Sequence, residues 1–169
     1  PEEGETSYQP VLAIFGVAFM LALAISWYVF ETVFTVQAAE WFVSLSMALL
    51  AIQKLQDLRS FSTMFLNYDL LARRWVRYGY IYPFGEALAG ILMVAHVLPI
   101  ISVPVSLFIG TVGAVSVFKA VYVDKRELKC ACVGGNSNVP LGFVSLTENL
   151  FMIGMGLWMG AKALGLVAV

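Results

Sequence analysis

The stretch PVLAIFGVAFMLALAISWYVFETVF, residues 10–34, decides the fold class, because Glu31 is its single charged residue. About 20 consecutive apolar residues suffice for an α-helix to cross the hydrocarbon core of a bilayer. Pro10 suits the first turn of such a helix, since the N–H that proline lacks has no partner inside a helix. The stretch therefore predicts a membrane-spanning helix.

Composition extends this prediction to the whole chain. Of the 169 residues, 60% are hydrophobic and 12% are charged, whereas about a quarter are charged in a soluble domain. Four further apolar blocks follow the first, at about 38–55, 82–101, 103–123 and 143–166. We predict an all-α, polytopic membrane bundle of five spans, with a four-helix core in 38–169 and one additional N-terminal helix in 10–37.

The connections between the blocks differ in character. Residues 58–82 are rich in arginine and aromatic side chains, which predicts a helix lying at the membrane interface and re-entering the bilayer at Pro83. Pro99 and Pro104 bracket a short turn, which predicts an antiparallel hairpin. Residues 124–142 form a polar loop.

Basic residues predict the orientation. Only the second and fourth connections contain Lys or Arg, namely Arg59, Arg73, Arg74, Arg77, Lys125, Arg126 and Lys129. With five spans, both connections share a side with the N-terminus, and the positive-inside rule puts that side in the cytoplasm of a bacterial inner membrane. The C-terminus is then periplasmic, and the 124–142 loop faces a reducing compartment.

Residues 1–9 form a polar lead-in without the basic region of a signal peptide. We therefore expect the chain to begin after a segment that is removed, disordered or omitted, and we expect an N-terminal domain there.

Cys130 and Cys132 are the only cysteines of the chain and lie in the polar loop. Two such thiols can bind one soft ion, Cu(I) or Hg(II), or they can cycle between a dithiol and a small, easily reduced disulfide. Lys129 favours the thiolate in either case, and Gly134 and Gly135 leave room for a partner's backbone. Buried, inert cysteines are the structural alternative.

Ionisable residues inside the membrane are costly, and they are functional candidates for that reason. Those of this chain are Lys54, Asp57, Glu86, Lys119 and Glu148. Each has a structural interpretation as well. Lys54 can pair with Asp57 three residues on, or with Glu86 across helices. Lys119 can extend to the interface, and Glu148 has the spacing of a helix capping box.

Met152, Met155 and Met159 fall on one face of the last predicted helix. A soft-metal path has this pattern, but so does adaptable packing. On the same helix, Gly156 and Gly160 form a GxxxG motif, which predicts close helix packing.

Some classes are not predicted. His96, the only histidine, is expected to lie across the membrane from both cysteines and to pack at the interface. The chain therefore lacks a nucleophile–base set, and we predict neither a hydrolase nor a dehydrogenase. Two cysteines and one histidine do not make a four-ligand zinc site. No basic cluster with interleaved aromatic residues predicts nucleic acid binding.

Four motifs stand out: CACVGG at 130–135, NVPLGFVSLTEN at 138–149, KLQDLRSF at 54–61 and YIYPFGE at 80–86. Together they resemble the methylamine-utilisation MauE/DoxX-like family of redox-associated membrane proteins. The similarity covers about 38–166, a four-helix DoxX-like core, and it is greatest to members that follow a heavy-metal-associated domain.

The resemblance implies an accessory protein, rather than a stand-alone enzyme, that handles thiol redox equivalents for maturing partner proteins. It implies functional roles for Cys130 and Cys132, and further roles for Glu86 and Glu148. The alternatives are a soft-metal binding or transport component for Cu(I) or Hg(II), and a structural subunit of a larger membrane complex. The expected partners are the bilayer and a protein: a redox partner, a metal-binding domain or that complex. Without a second cysteine pair, a complete internal relay of the DsbB kind is not expected.

Overall fold

A computed structural model describes residues 7–134 and 138–168, and it places seven helices in that part of the chain. The helices are α1 (Gln9–Phe30), α2 (Val36–Gln56), α3 (Leu58–Phe65), α4 (Leu70–Arg74), α5 (Arg77–Val94), α6 (Pro99–Phe118) and α7 (Phe143–Ala163). A π-helical turn, Lys119–Val123, continues α6. Most of the polar lead-in and Gly135 lie outside the described residues.

Among the described residues, three segments are long and apolar enough to span a membrane: α1, α2, and α6 together with its π-helical turn. The chain is therefore a multi-pass membrane protein. Helices α5 and α7 have 18 and 21 residues, but each carries ionisable side chains within its length. They pack against α2 and α6 respectively. The count of five spans stays a prediction.

Small residues allow the helices to approach closely. A Cβ on Gly156 of α7 would lie 2.9 Å from the Leu107 side chain, and one on Gly90 of α5 would lie 3.0 Å from the Ser44 carbonyl of α2. Ser106 of α6 also donates a 2.7 Å hydrogen bond to the Met152 carbonyl. The GxxxG helix thus packs tightly inside this chain, as small residues permit in membranes.

Helix α1 lies outside the rest of the bundle. It packs mainly along α2, where Phe15 and Phe19 contact the Phe42 ring. Most of its other large side chains are exposed, including Leu12 and Met20. The division into a four-helix core and an additional N-terminal helix stays a prediction.

The single helix predicted over 58–82 is wrong, whereas its location at the membrane interface stays a prediction. The side chains of Asp57 and Asp69 accept backbone N–H groups and begin two short helices, α3 and α4. Helix α5 already begins at Arg77 and takes in Pro83. The aromatic side chains of the segment largely turn inward, since Phe61, Phe65, Tyr68, Tyr78 and Tyr82 are all at most 6% exposed.

The predicted turn between Pro99 and Pro104 is also wrong. Both prolines lie in α6, which Pro99 begins. A proline is tolerated at a helix start, and Pro104 one turn further in removes only a single backbone hydrogen bond. The chain reverses just before, where His96 and Leu98 have φ values of 55° and 47°.

Candidate functional site

The cysteine loop is folded back over one end of the bundle. The Cys130 N–H donates to the Val139 carbonyl at 2.7 Å, and the Leu141 N–H donates to the Leu128 carbonyl at 2.8 Å. The Gly134 N–H closes a tight turn onto the Ala131 carbonyl at 3.1 Å. Its φ of 98° lies in the region that favours glycine. These bonds fix the segment that carries both cysteines.

Cys130 and Cys132 are joined by a disulfide, with their Cα atoms 5.2 Å apart. Both residues are buried, at 0% and 4% exposure. The Ser145 hydroxyl donates to Cys130 Sγ at 2.8 Å and lies 3.2 Å from Cys132 Sγ. The Cys132 N–H also donates to Cys130 Sγ, at 3.0 Å. Two donors thus converge on Cys130 Sγ, which is placed to carry negative charge as a thiolate.

Lys129 does not serve the sulfurs as predicted. Its ammonium group donates instead to Asn138 Oδ1 at 2.9 Å, on the exposed side of the loop. The cysteine segment is held instead by Tyr68, because the Ala131 N–H donates to the Tyr68 hydroxyl at 3.3 Å. Burial raises the pKa of Tyr68, so this hydroxyl keeps its proton at neutral pH.

A buried ionic group, here called the Lys54 cluster, joins three helices. It consists of Lys54 of α2, Glu86 of α5 and Glu148 of α7. The ammonium Nζ lies 2.7 Å from Glu86 Oε2 and 2.9 Å from Glu148 Oε1. Lys54 is 2% exposed and Glu86 is 0% exposed. The Tyr82 ring centroid lies 5.2 Å from Nζ and adds a cation–π contact.

The structure separates the alternatives for these residues. The cross-helix pair of Lys54 and Glu86 is present. The pair of Lys54 with Asp57 is wrong, because Asp57 Oδ1 caps α3 through the Ser60 N–H at 3.0 Å. The capping box is wrong too, because α7 begins at Phe143. Glu148 lies beyond its first turn and reaches Lys54.

A small cavity of about 20 Å³ connects the Lys54 cluster to the disulfide. Cys132 and Ser145 line it on one side, and Lys54 and Glu148 line it on the other. The remaining lining residues are Phe61, Phe65, Tyr68, Tyr82, Gly113, Val117, Ala131 and Asn149. We call this space the site cavity. It brings Cys132 together with two of the predicted intramembrane charges, Lys54 and Glu148.

The motifs that form this site fall inside a family match. The family model of methylamine utilisation protein MauE matches residues 32–162. The chain belongs to the MauE family. The match contains the disulfide, Ser145 and the whole Lys54 cluster, and α1 lies entirely outside it. No curated protein and no solved structure matches the chain.

A second polar group, here called the Glu40 cluster, lies at the opposite end of α2 and was not predicted. Glu40 Oε1 accepts from Trp158 Nε1 and Lys162 Nζ, both at 2.7 Å. His96 Nε2 lies 2.5 Å from Glu40 Oε2. The sequence signal was available: an acid opens the second apolar block, and a base and the histidine lie at the matching ends of later blocks.

The remaining candidates lie apart from the disulfide. Lys119 reaches outward and pairs with exposed Asp124 at 2.7 Å. Met152, Met155 and Met159 are buried in the core. Within residues 7–134 and 138–168, no group of three or more His, Cys, Asp and Glu side chains is arranged to hold a metal ion. Metal binding by Cys130 and Cys132 stays a prediction.

Proposed function

We propose that this protein is a membrane accessory protein that exchanges its Cys130–Cys132 disulfide with the thiols of a partner protein during that partner's maturation. The arrangement of donors around Cys130 Sγ is the observation that supports this role most directly. Membership of the MauE family supports a place in methylamine utilisation. The basic connections support a bacterial inner membrane location with the cysteine loop on the cytoplasmic side.

The donors assign different roles to the two sulfurs. A partner thiolate attacks Cys132 Sγ, which forms a mixed disulfide and breaks the Cys130–Cys132 bond. Cys130 leaves as a thiolate that Ser145 and the Cys132 N–H already stabilise. The partner's second thiol then attacks the mixed disulfide, so that the partner leaves oxidised by two electrons and the chain keeps a dithiol.

Burial of both cysteines sets a condition on this reaction. A partner thiolate reaches Cys132 only if the residues that cover it move aside, and the reaction requires Ser145 to keep its contact with Cys130. The partner must therefore supply contacts that uncover Cys132 and leave Cys130 in place.

Peptide mapping tests the assignment. Purified oxidised protein in nanodiscs is mixed with reduced glutathione, quenched with acid, and alkylated with N-ethylmaleimide before mass spectrometry. We expect glutathione on Cys132 and maleimide on Cys130. A Cys132→Ser variant, in which the attacked sulfur is missing, should give no such product by exchange. A wild-type disulfide that never reacts, or glutathione found on Cys130 alone, would contradict the proposal.

Soft-metal binding is a second candidate, since the same two sulfurs can bind Cu(I) or Hg(II) once the disulfide is reduced. Titration of the reduced protein with Cu(I), monitored by X-ray absorption, tests it. Equal binding by wild type and by the Cys130→Ser, Cys132→Ser variant would rule it out.

A further inference from the structure

The disulfide cannot be reduced without protons, and its burial limits their supply. Reduction to two thiols takes up protons as well as electrons, because a thiolate left in an apolar site is costly. Bulk water has little access, since Cys130 is 0% exposed and Cys132 is 4% exposed. Any proton that reaches Cys130 Sγ while the rest of the bundle stays closed must come from inside the protein.

Ser145 is the one hydroxyl that reaches both sulfurs among the described residues. Its side chain also lines the site cavity. A hydroxyl both donates and accepts, so it can pass a proton to a sulfur while it takes another from the cavity side.

The site cavity has the size and the lining of a water site. Its volume of about 20 Å³ exceeds the 10–15 Å³ or so that one water needs. Asn149 Oδ1 is buried and has no hydrogen-bond partner among the described residues. The other end of that amide is fixed, because Nδ2 donates to the Ser145 carbonyl at 2.8 Å. A Cβ at Gly113 would overlap this amide, so the glycine keeps the space open.

The Lys54 cluster holds one carboxyl more than its charge can pair. Glu86 and Glu148 both face a single ammonium, and both are buried. In a buried site, a carboxyl group that has no cation of its own has a lower free energy when it is protonated. Glu86 Oε1 has no partner in the part of the chain that the structure describes. Of the cluster, Lys54 and Glu148 line the cavity, and the other ionisable side chains that line it are Tyr82 and Tyr68.

We propose that the Lys54 cluster stores a transferable proton and delivers it to Cys130 through a water in the site cavity and the Ser145 hydroxyl. When Cys132 is attacked and Cys130 leaves as a thiolate, Cys130 takes the Ser145 proton. The water restores the serine, and the carboxyl pair of Glu86 and Glu148 restores the water. When the partner's second thiol closes the partner's own disulfide, Cys132 leaves and takes that thiol's proton. The cluster regains its proton from solvent, which received one when the partner's first thiol ionised.

This inference rests on the proposed thiol exchange and adds a role for residues that touch neither the partner nor the reacting bond. Ser145 contacts the reacting sulfurs and is a catalytic residue in this scheme. Glu148 acts through the water and Ser145 and is a positioning residue. Helices α2, α5 and α7 each contribute to the path.

The test is the pH profile of disulfide reduction by dithiothreitol in nanodiscs, with each rate divided by the thiolate fraction of dithiothreitol. The variants are Ser145→Ala, Ser145→Thr and Glu148→Gln, and Glu40→Gln at the other end of α2 is the matched control. We expect Ser145→Ala to slow the corrected rate about 100-fold, in the range of general acid catalysis. Glu148→Gln should flatten the pH profile of the corrected rate. It should also abolish the decrease in that rate that we expect for wild type in deuterated solvent. Ser145→Thr should restore much of the rate, and Glu40→Gln should behave as wild type.

The outcomes separate the two proposals. If all variants are reduced with the wild-type profile and the wild-type solvent isotope effect, thiol exchange stands and the proton path is wrong. If dithiothreitol never reduces wild type, or oxidised glutathione never reoxidises it, the proposed function itself fails. Glu148→Gln keeps the path testable if the serine variants do not fold, because its amide can still accept from Lys54.

Discussion

The Lys54 cluster and the Glu40 cluster lie toward opposite ends of α2 and have opposite charge patterns. The first sets one cation against two acids, and the second sets one acid against a lysine, a histidine and an indole N–H. The Lys54 side chain is 2% exposed, whereas His96 is 32% exposed and Lys162 is 19% exposed. Both clusters fasten α7 to α2, but only the enclosed one shares a cavity with the disulfide. The difference supports the proposal that the Lys54 cluster takes part in the chemistry, whereas the Glu40 cluster holds helices together.

Removing the cation of the Lys54 cluster should have the largest effect on stability. Lys54→Met leaves two buried carboxyls without their partner, and we expect a loss of about 3–5 kcal/mol in the free energy of unfolding. The protein should be recovered poorly, or unfold far earlier in a thermal ramp followed by size-exclusion chromatography. Lys54→Met combined with Glu86→Gln and Glu148→Gln should recover most of the loss. A single variant as stable as wild type would contradict a charged cluster.

Glu40→Gln should have a smaller effect. The cations that it leaves behind are partly exposed and can be solvated, and the amide oxygen still accepts one hydrogen bond. We expect a loss of about 1–3 kcal/mol, measured in the same thermal ramp. A loss equal to that of Lys54→Met would remove the distinction between the two clusters.

Asp57 and Asp69 cap helices outside the two clusters, and their substitution should have the smallest effects on stability. The pH dependences of their contributions to stability are opposite in sign. The Ser60 N–H lowers the pKa of exposed Asp57. Its contribution is therefore present above the unfolded value of about 4 and is lost as the pH falls. Burial raises the pKa of Asp69. Its ionisation therefore lowers the free energy of unfolding as the pH rises above the unfolded value of about 4.

Asparagine substitution at each cap checks these signs, because asparagine caps helices about as well as aspartate. Asp69→Asn should raise the unfolding temperature slightly at neutral pH and leave it unchanged at pH 4. Asp57→Asn should have its small effect at neutral pH only, as a loss. The same sign for both variants would contradict the assigned burial.

The sequence predicted the parts of this fold that depend on local composition. Long apolar blocks gave the membrane class, and the five long helices lie close to the predicted blocks. It failed where a local signal had two solutions. Pro99 and Pro104 are equally typical of a turn and of a helix start, and the aromatic residues of 58–82 suit an interface as well as a core.

The site shows the same division. The cysteine pair and the partnership of Lys54 with Glu86 could be inferred from residue type and position. Glu148 could not be assigned, because the start of α7 at Phe143 decides whether it caps the helix or turns inward. The sulfur contacts of Ser145 and the Glu40 cluster were missed for another reason. They depend on which helices become neighbours, and the capping-box spacing of Ser145 and Glu148 indicates nothing about those neighbours.

The central claim is that Cys130 and Cys132 form a redox pair, and an equilibrium titration tests it most directly. Purified protein in nanodiscs is equilibrated at neutral pH with mixtures of reduced and oxidised glutathione and quenched with acid. The free thiols are then counted by the mass shift of a maleimide reagent. We predict a single reversible transition between no free thiol and two free thiols, reached from both directions. A disulfide that persists at every ratio, or two thiols that stay free at every ratio, would contradict the account.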